Sequence, residues 1–358
     1  MTRNTLKGAI GAGTLALLLG GTALPLAAQD KKVTVTFVSF TQDITDIYGQ
    51  ILRGMQAKLD EAGVAYDLTT AAPSAPDDFA GMDRILADVA TINPTYAVIG
   101  GASFDLIEDR IKEIEATGTK TIVVDVLPSS LKVAPKIEPL TWIAVNHHEM
   151  GRIGGEYMAT QFCAGTKSPV RVALFYGPSA SEISQNRIGG AMEALEAGLK
   201  ACGKTLEVAQ SVHADFNREK AFNLMTGVAT AQPDLDLVIG ANSNTALGVM
   251  DAMDSLGLLG KQTQILGMGG QLDELAAICR GDITAAGFRD ARRMGQVTAE
   301  AIVAAVKGAA DSLPEVTSAD LPVLHDCEGV FATVPRAMLE LDGFRKAIPA
   351  AMWDQYAK

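Results

Sequence analysis

The segment DLDLVIGANSNTALGVMDAMDSLG (234–257) contains one complete unit of the fold that we predict for this chain. Its first seven residues include a short apolar run, which predicts a buried β-strand. A polar turn follows. Residues 244–257 then carry apolar side chains at helical spacing and end at Gly257, a residue typical of helix ends. The segment therefore predicts a strand, a loop and a helix in that order.

The same order of strand and helix recurs along the chain. The first example is a strand at 33–40, followed by an amphipathic helix at 47–62 that ends at Gly63. Further predicted strands lie at 95–100, 120–126, 171–177 and 264–270, further helices at 104–117, 150–163, 184–200 and 272–280, and a strand–helix pair at 283–308. The strands are continuous apolar runs, which is typical of parallel sheets covered by helices on both faces.

The number of predicted strands favours two sheets over one. An open sheet of roughly ten or more strands would be unusual, whereas sheets of about six strands are common. We therefore predict an α/β fold with two similar three-layer, doubly wound parallel-sheet lobes, joined by a multi-segment hinge near 141–151. The N-terminal lobe would comprise residues 29–145 and 290–321, and the C-terminal lobe residues 146–289 and 322–358.

The N-terminus has the features of an export signal. Arg3 and Lys7 precede an apolar stretch at 9–26, and two alanines follow it. This arrangement is typical of a signal peptide that is cleaved on export, and we assign residues 1–28 to it. We therefore expect a soluble exported protein.

Charge and motifs exclude several classes of function. Asp and Glu number 42 against 30 Lys and Arg, and the net charge is −12. Such a surface repels polyanions on average, which excludes nucleic acid as a partner. No GxSxG, HExxH, P-loop or GxGxxG pattern occurs at a strand–helix junction of the sequence. We therefore predict a protein that is not an enzyme and uses neither a cofactor nor a metal.

The chain has four cysteines, Cys163, Cys202, Cys279 and Cys327, and their spacing does not match a metal site. In an oxidising compartment they can form disulfides. Because Cys163 and Cys202 follow predicted helices that flank one strand, we favour their pairing. Three connectivities and buried free thiols all stay open at this point.

Ligands of open α/β sheets bind beyond the carboxyl ends of the strands, and two lobes would direct these ends into one cleft. The residues directly after the predicted strands are mainly amides, carboxylates and two arginines. These groups offer fixed donors and acceptors for a polyhydroxylated ligand, and aromatic rings in the same loops can pack on a sugar ring. The predicted ligand-binding residues are Asp43, Thr45, Tyr48, Asp125, Arg187, Phe216, Asn242 and Arg289.

Other titratable residues are predicted to have structural roles. His147 and His148 are adjacent, so their side chains point apart on a regular helix or strand and do not readily share a metal ion. Asp273 and Glu274 lie in a predicted helix, and we expect them on its exposed, solvated face.

Four segments occur in a characteristic order: NRIGGAMEAL (186–195), ADFNREKA (214–221), ANSNTALG (241–248) and CRGDIT (279–284). With these segments, essentially the whole mature chain resembles the type I periplasmic solute-binding proteins of the ribose-binding and autoinducer-2 receptor kind. The resemblance implies a periplasmic protein, which we expect to be a monomer. It would capture a small sugar or polyol between two lobes by hinge closure and deliver it to an ABC permease in the inner membrane.

By position, the resemblance also implies roles for the predicted site residues. Thr45 and Tyr48 would supply a polar group and an aromatic face in the first loop. Arg187 would be the arginine at the start of a second-lobe helix, Phe216 the aromatic of the ADF segment, and Asn242 the amide before the ALG turn.

One departure from this family pattern concerns the turn GMGG (267–270). Ribose-type proteins usually have an aspartate in a GFDG turn at this place, so its loss argues against ribose itself. A GWGG-like turn combined with an arginine at the position of Arg289 is similar to the autoinducer-2 receptor. The alternative function is therefore a periplasmic signal receptor that presents its closed form to a membrane sensor. Two arginines would also suit an acidic sugar, because guanidinium groups bind carboxylates in a fork geometry.

Overall fold

The computed structural model describes residues 32–42, 47–101, 103–318 and 320–357. The predicted signal peptide (1–28) and two predicted site residues, Asp43 and Thr45, lie outside the described residues. Within the described part of the chain, no helix is both long enough and apolar enough to cross a membrane.

The described residues form two six-stranded sheets. The strands of the first sheet are β1 (Val33–Val38), β2 (Tyr66–Ala71), β3 (Tyr96–Ile99), β4 (Lys120–Val124), β5 (Thr141–Ala144) and β11 (Val316–Ser318). Their spatial order is β11-β5-β4-β3-β1-β2, and every neighbouring pair is parallel. We call this sheet and its helices the first lobe.

The second sheet repeats this arrangement. Its strands are β6 (Val170–Tyr176), β7 (Leu206–His213), β8 (Leu237–Gly240), β9 (Gln264–Gly269), β10 (Ala285–Phe288) and β12 (Val323–Leu324). They lie in the order β12-β10-β9-β8-β6-β7, and β12 runs antiparallel to β10 while the other pairs are parallel. This sheet and its helices form the second lobe.

Helices cover both faces of each sheet. Those of the first lobe are α1 (Ile47–Glu61), α2 (Phe79–Ile92), α3 (Glu108–Ala116) and α9 (Ala291–Val306). Those of the second lobe are α4 (His147–Ala164), α5 (Glu182–Ala201), α6 (Arg218–Ala231), α7 (Ser243–Ser255), α8 (Leu272–Arg280), α10 (Cys327–Thr333), α11 (Arg336–Leu339), α12 (Asp342–Arg345) and α13 (Ala350–Tyr356).

The side chains of a central strand divide between the two faces of its sheet. In β3, Ala97 and Ile99 join the core beneath α2 and α3, while Tyr96 and Val98 join the core beneath α1 and α9. This alternation follows from strand geometry, and burial on both faces explains the continuous apolar run. The chain passes between the lobes after β5, after β10 and between β11 and β12. The exact residue boundaries of the lobes stay a prediction.

Both disulfides of the chain lie in the second lobe. Cys163 pairs with Cys202, which confirms the favoured pairing and joins the C-terminal ends of α4 and α5. Cys279 pairs with Cys327 and connects α8 to α10. The helices that follow α10 pack on this lobe, and Phe344 of α12 is buried in its core.

Candidate ligand-binding site

A cavity lies where the carboxyl ends of the two sheets meet, and we call it the central cavity. The first lobe lines it with Phe40, Thr41, Ile47, Tyr48, Pro76 and Asp125. The second lobe contributes Ile183, Arg187, Phe216, Asn242, Ser243, Asn244, Met268, Gly269, Gln271 and Arg289. The structure thus brings six of the eight predicted site residues to one cavity, and the other two are Asp43 and Thr45.

Asp125 is the buried carboxylate of the central cavity. It directly follows β4, and its N–H donates to the carbonyl of Ile143 at 2.8 Å. Its Oδ2 lies 3.1 Å from Nη2 of Arg289 and 3.4 Å from the Tyr48 hydroxyl, while Oδ1 has no hydrogen-bond partner in the described part of the chain. The φ angle of Asp125 is +69°, a conformation that is strained for a residue with a Cβ and that is often found at functional sites.

Arg187 lies in the second turn of α5 and is 2% exposed. Its Nη1 donates to the backbone carbonyls of Ala241 at 2.9 Å and Met268 at 3.4 Å. Its Nε donates to Nδ1 of His147 at 3.2 Å. Burial, and next the charge of Arg289, lower the pKa of Arg187 to about 9, so the guanidinium is still charged at neutral pH.

Arg289 follows β10, where the chain crosses between the lobes. Among the described residues, its Nη2 makes an ion pair with Asp125, whereas Nε and Nη1 are buried and have no hydrogen-bond partner there. A buried donor without a partner costs about 1–3 kcal/mol. The N–H of Nε and the NH2 of Nη1 are therefore available to acceptor oxygens of a ligand.

Three aromatic rings meet at the central cavity. The ring centroid of Phe40 is 4.9 Å from that of Tyr48 and 5.9 Å from that of Phe216. Phe40 and Tyr48 belong to the first lobe and Phe216 to the second. The cluster therefore presents apolar faces from both lobes, as stacking on the C–H faces of a sugar ring requires.

Two glycines at strand ends make room for these rings. A Cβ at Gly100, just after β3, would lie 2.1 Å from Cε1 of Tyr48. A Cβ at Gly177, just after β6, would lie 2.4 Å from Cε1 of Phe216. Since no real Cβ approaches a carbon so closely, glycine at these strand ends lets both rings reach the cavity.

Asn242 and its neighbours combine cavity lining with helix capping. Oδ1 of Asn242 accepts from the N–H of Thr245 at 2.8 Å and so caps α7. Gln271 lies between β9 and α8, and its buried Oε1 has no hydrogen-bond partner among the residues described. The amide oxygen of Asn242 is thus already in use, whereas that of Gln271 is available as an acceptor.

Glu274 lies behind this loop and corrects one prediction. We expected it on a solvated helix face with Asp273, but Glu274 is 0% exposed. Its Oε2 accepts from Oγ of Ser243 at 2.6 Å and from the N–H of Gly270 at 2.8 Å. Only Asp273 matches the expectation, because it lies at the surface and pairs with Arg218 at 3.0 Å. Burial raises the pKa of Glu274 to about 7.

Hydrogen bonds from Ser103 and Phe104 of the first lobe reach the second lobe beside the central cavity. Oγ of Ser103, after β3, donates to the carbonyl of Ala180 at 2.9 Å. The N–H of Phe104 donates to Oε1 of Glu182 at the start of α5, at 2.5 Å. Both bonds start from the first-lobe loop after β3, and they end in the loop before α5 and on the first residue of α5, so the conformation described is one in which the lobes are closed on each other.

Comparison with known proteins settles the family. Residues 35–310 match the family model described as periplasmic binding protein domain. The chain belongs to the periplasmic binding protein family. This assignment confirms the resemblance that we drew from the sequence.

Two curated relatives share one name. The chain is similar to the ribose import binding protein of Escherichia coli (strain K12), with 26% identity over 197 residues, 55% of this chain and 58% of that protein. It is also similar to the ribose import binding protein of Bacillus subtilis (strain 168), with 21% identity over 282 residues, 78% of this chain and 84% of that protein. The match thus spans less than two thirds of the E. coli relative.

Solved structures share the fold of this periplasmic binding protein. An ABC transporter periplasmic solute-binding protein from Actinobacillus succinogenes 130z with bound D-allose has a TM-score of 0.69 and 16% identity, covering 83% of this chain and 98% of the other. A solute-binding protein from Bacillus halodurans C-125 with bound myo-inositol has a TM-score of 0.66 and 16% identity, covering 81% and 94%. These likenesses confirm the predicted two-lobe α/β architecture.

Some cavity residues of this periplasmic binding protein were missed by the sequence analysis. Phe40 and Gln271 lie two residues after the ends of β1 and β9, so the rule of strand ends could have found both. Ile183 and Pro76 carry no polar signal, and only the assembled structure reveals them.

The raised pKa of Glu274 predicts a pH dependence of stability. An acid whose pKa rises from its model value of 4.5 to about 7 on folding binds protons more tightly in the folded state. The contribution of Glu274 to the free energy of unfolding is therefore greatest at low pH and is lost as the pH rises through about 7. The contribution of Glu274 to the free energy of unfolding should fall by roughly 2 kcal/mol between about pH 5 and pH 8.

Urea denaturation of the wild type and of Glu274→Gln at several pH values measures this effect. Glutamine keeps an acceptor for Ser243 and Gly270 but does not titrate. We expect the wild type to lose unfolding free energy relative to Glu274→Gln as the pH rises. A difference that is constant from about pH 5 to pH 8 would show that the carboxyl group is not perturbed.

Proposed function

We propose that this protein is the periplasmic substrate-binding component of an ABC importer. It would capture a small sugar or polyol between the two lobes by hinge closure and present the closed form to a permease in the inner membrane. We further propose that it acts as a monomer, without enzymatic activity and without nucleic acid as a partner. Residues 1–28 would be removed on secretion to the periplasm.

One observation supports this function above all: residues of both lobes line the same cavity. Tyr48 and Asp125 come from the first lobe, Arg187 and Phe216 from the second, and Arg289 from a crossing segment. A ligand that contacts all five can do so only when the lobes are closed. Its binding energy therefore shifts an equilibrium between open and closed forms toward the closed one.

The unpartnered polar atoms of the cavity support a hydroxyl-rich ligand. Donors are available at Nε and Nη1 of Arg289, and acceptors at Oδ1 of Asp125 and Oε1 of Gln271. A hydroxyl group can both donate and accept, so a sugar or polyol can pair with both kinds of atom. The relatives named for ribose and the structures holding D-allose and myo-inositol are consistent with this ligand class.

The lobe boundaries belong to the same proposal. The N-terminal lobe would comprise residues 29–145 and 290–321, and the C-terminal lobe residues 146–289 and 322–358. The crossings after β5, after β10 and between β11 and β12 are the segments about which the lobes would rotate.

A thermal-shift panel tests the proposal directly. The probes are D-ribose, D-allose, myo-inositol, D-glucitol and D-galacturonate, with leucine as a control of another chemical class. A ligand that binds only the folded state raises the melting temperature. At a ligand concentration of 100 times the Kd, the free energy of unfolding increases by about 2.7 kcal/mol. We expect a shift with at least one of the five carbohydrates and none with leucine. If the reverse is found, the protein captures a different class of solute.

A further inference from the structure

His147 lies between the two lobes without lining the central cavity. It is the first residue of α4 and is 2% exposed. Nε2 of its ring lies 2.8 Å from the backbone oxygen of Asp125. Nδ1 accepts from Nε of Arg187 at 3.2 Å. The ring thus bridges two residues that do line the cavity, one from each lobe.

The hydrogen-bond partners of His147 fix its protonation, and Oδ1 of the Asp125 carboxylate, 3.5 Å from Nε2, faces the same side of the ring. A guanidinium N–H only donates, so Nδ1 must be unprotonated. A carbonyl oxygen only accepts, so Nε2 must carry the proton. The neutral ring satisfies both contacts, whereas a protonated ring would place an N–H against the N–H of Arg187. Burial, together with the charges of Arg187 and Arg289, lowers the pKa of His147 well below its usual value, in agreement with this geometry.

The bridge is specific in what it joins. The other acceptors of Arg187 within the described residues are the carbonyls of Ala241 and Met268, and both belong to the second lobe. The contact through His147 is the one that leads from Arg187 to the first lobe, at the strained backbone of Asp125. The orientation of the guanidinium therefore depends on where the first lobe places this carbonyl.

We propose that His147 is a positioning residue. Its neutral ring fixes the orientation of the Arg187 guanidinium relative to the Asp125 backbone. Ligand affinity therefore depends on a side chain that does not line the cavity. This inference rests on the proposed function, because it takes Arg187 to be a ligand contact.

Nitrogen NMR of the unliganded protein tests the bridge without any ligand. The chain has four histidines, and spectra of His147→Asn assign the signals of this ring. We expect the neutral tautomer with the proton on Nε2, and we expect the ring to be still neutral at about pH 6, below the ordinary histidine pKa. A charged ring at that pH, or a proton on Nδ1, overturns the proposal whether or not a sugar binds.

A double-mutant cycle tests the effect on affinity, with calorimetry and the panel carbohydrate that gives the largest thermal shift. We expect His147→Leu to weaken binding at least about tenfold, a loss of 1.4 kcal/mol. His147→Asn should lose less, because its Oδ1 can replace the acceptor Nδ1. In an Arg187→Lys background, which lacks Nε, the leucine substitution should have little further effect.

His148→Leu is the matched control, because His148 is adjacent but exposed and pairs with Glu193 at 3.1 Å. Wild-type affinity in His147→Leu overturns the proposal, and so does an equal loss of affinity in both backgrounds. If the leucine variant does not fold, the comparison of His147→Asn with the wild type by NMR and calorimetry still tests whether His147 positions Arg187. If no carbohydrate of the panel binds, the proposed function fails, while the NMR result still tests the bridge.

Discussion

Arg187→Ala is expected to lower ligand affinity at least about 100-fold, which corresponds to about 2.7 kcal/mol. The guanidinium is buried and charged, and it lies in the wall of the central cavity beside the ion pair of Arg289 with Asp125. Hydrogen bonds from a charged donor contribute about 1.5–3 kcal/mol each. The loss of one or two such bonds to a ligand is sufficient for this effect.

Calorimetric titration of the wild type and of Arg187→Ala measures this loss of ligand affinity. Arg293→Ala is the matched control, because Arg293 is an exposed arginine that pairs with Glu300 at the surface. The carbonyls of Ala241 and Met268 lose a donor in Arg187→Ala, so the variant should also be less stable without ligand and is best titrated well below its melting temperature. Unchanged affinity would remove Arg187 from the site.

Gly295→Ala is expected to lower the free energy of unfolding by about 3 kcal/mol or more. Gly295 lies where α9 crosses α1, and a Cβ there would be 1.9 Å from the backbone oxygen of Ile51. The neighbouring atom belongs to a helix backbone and cannot move aside as a flexible side chain can. The two helices would have to separate, which exposes the core of the first lobe.

Urea denaturation of Gly295→Ala measures this cost, and Gly227→Ala is its control. Gly227 lies within α6, and a Cβ there would meet no atom of the described residues within 4 Å. Alanine is favoured over glycine in helices by about 1 kcal/mol, so the control should be as stable as the wild type or more so. Equal stability of the two variants would contradict the close packing of α1 on α9.

The predicted fold was correct where strands are central and was incomplete at the sheet edges. β3 and β8 are buried along their whole length, and their apolar runs are visible in the sequence. The edge strands β2 and β7 read YDLTTA and LEVAQSVH and are partly exposed. Because one side of an edge strand contacts solvent, it carries no continuous apolar run, and both strands were absent from the prediction.

The predicted site depended on a rule that the fold imposes, namely that ligands bind at the carboxyl ends of parallel strands. This rule placed Asp125, Arg187 and Arg289 together although they are far apart in the sequence. Glu274 could not be placed in this way. Its burial depends on partners at Ser243 and Gly270, and nothing in a helical pattern distinguishes such a carboxylate from a solvated one.

Small-angle X-ray scattering with and without a saturating carbohydrate tests lobe closure most directly. The probe is the panel compound with the largest thermal shift, with its binding confirmed by calorimetry. We predict that the radius of gyration of the wild type decreases on saturation. An identical scattering profile with and without the bound carbohydrate would contradict capture between closing lobes.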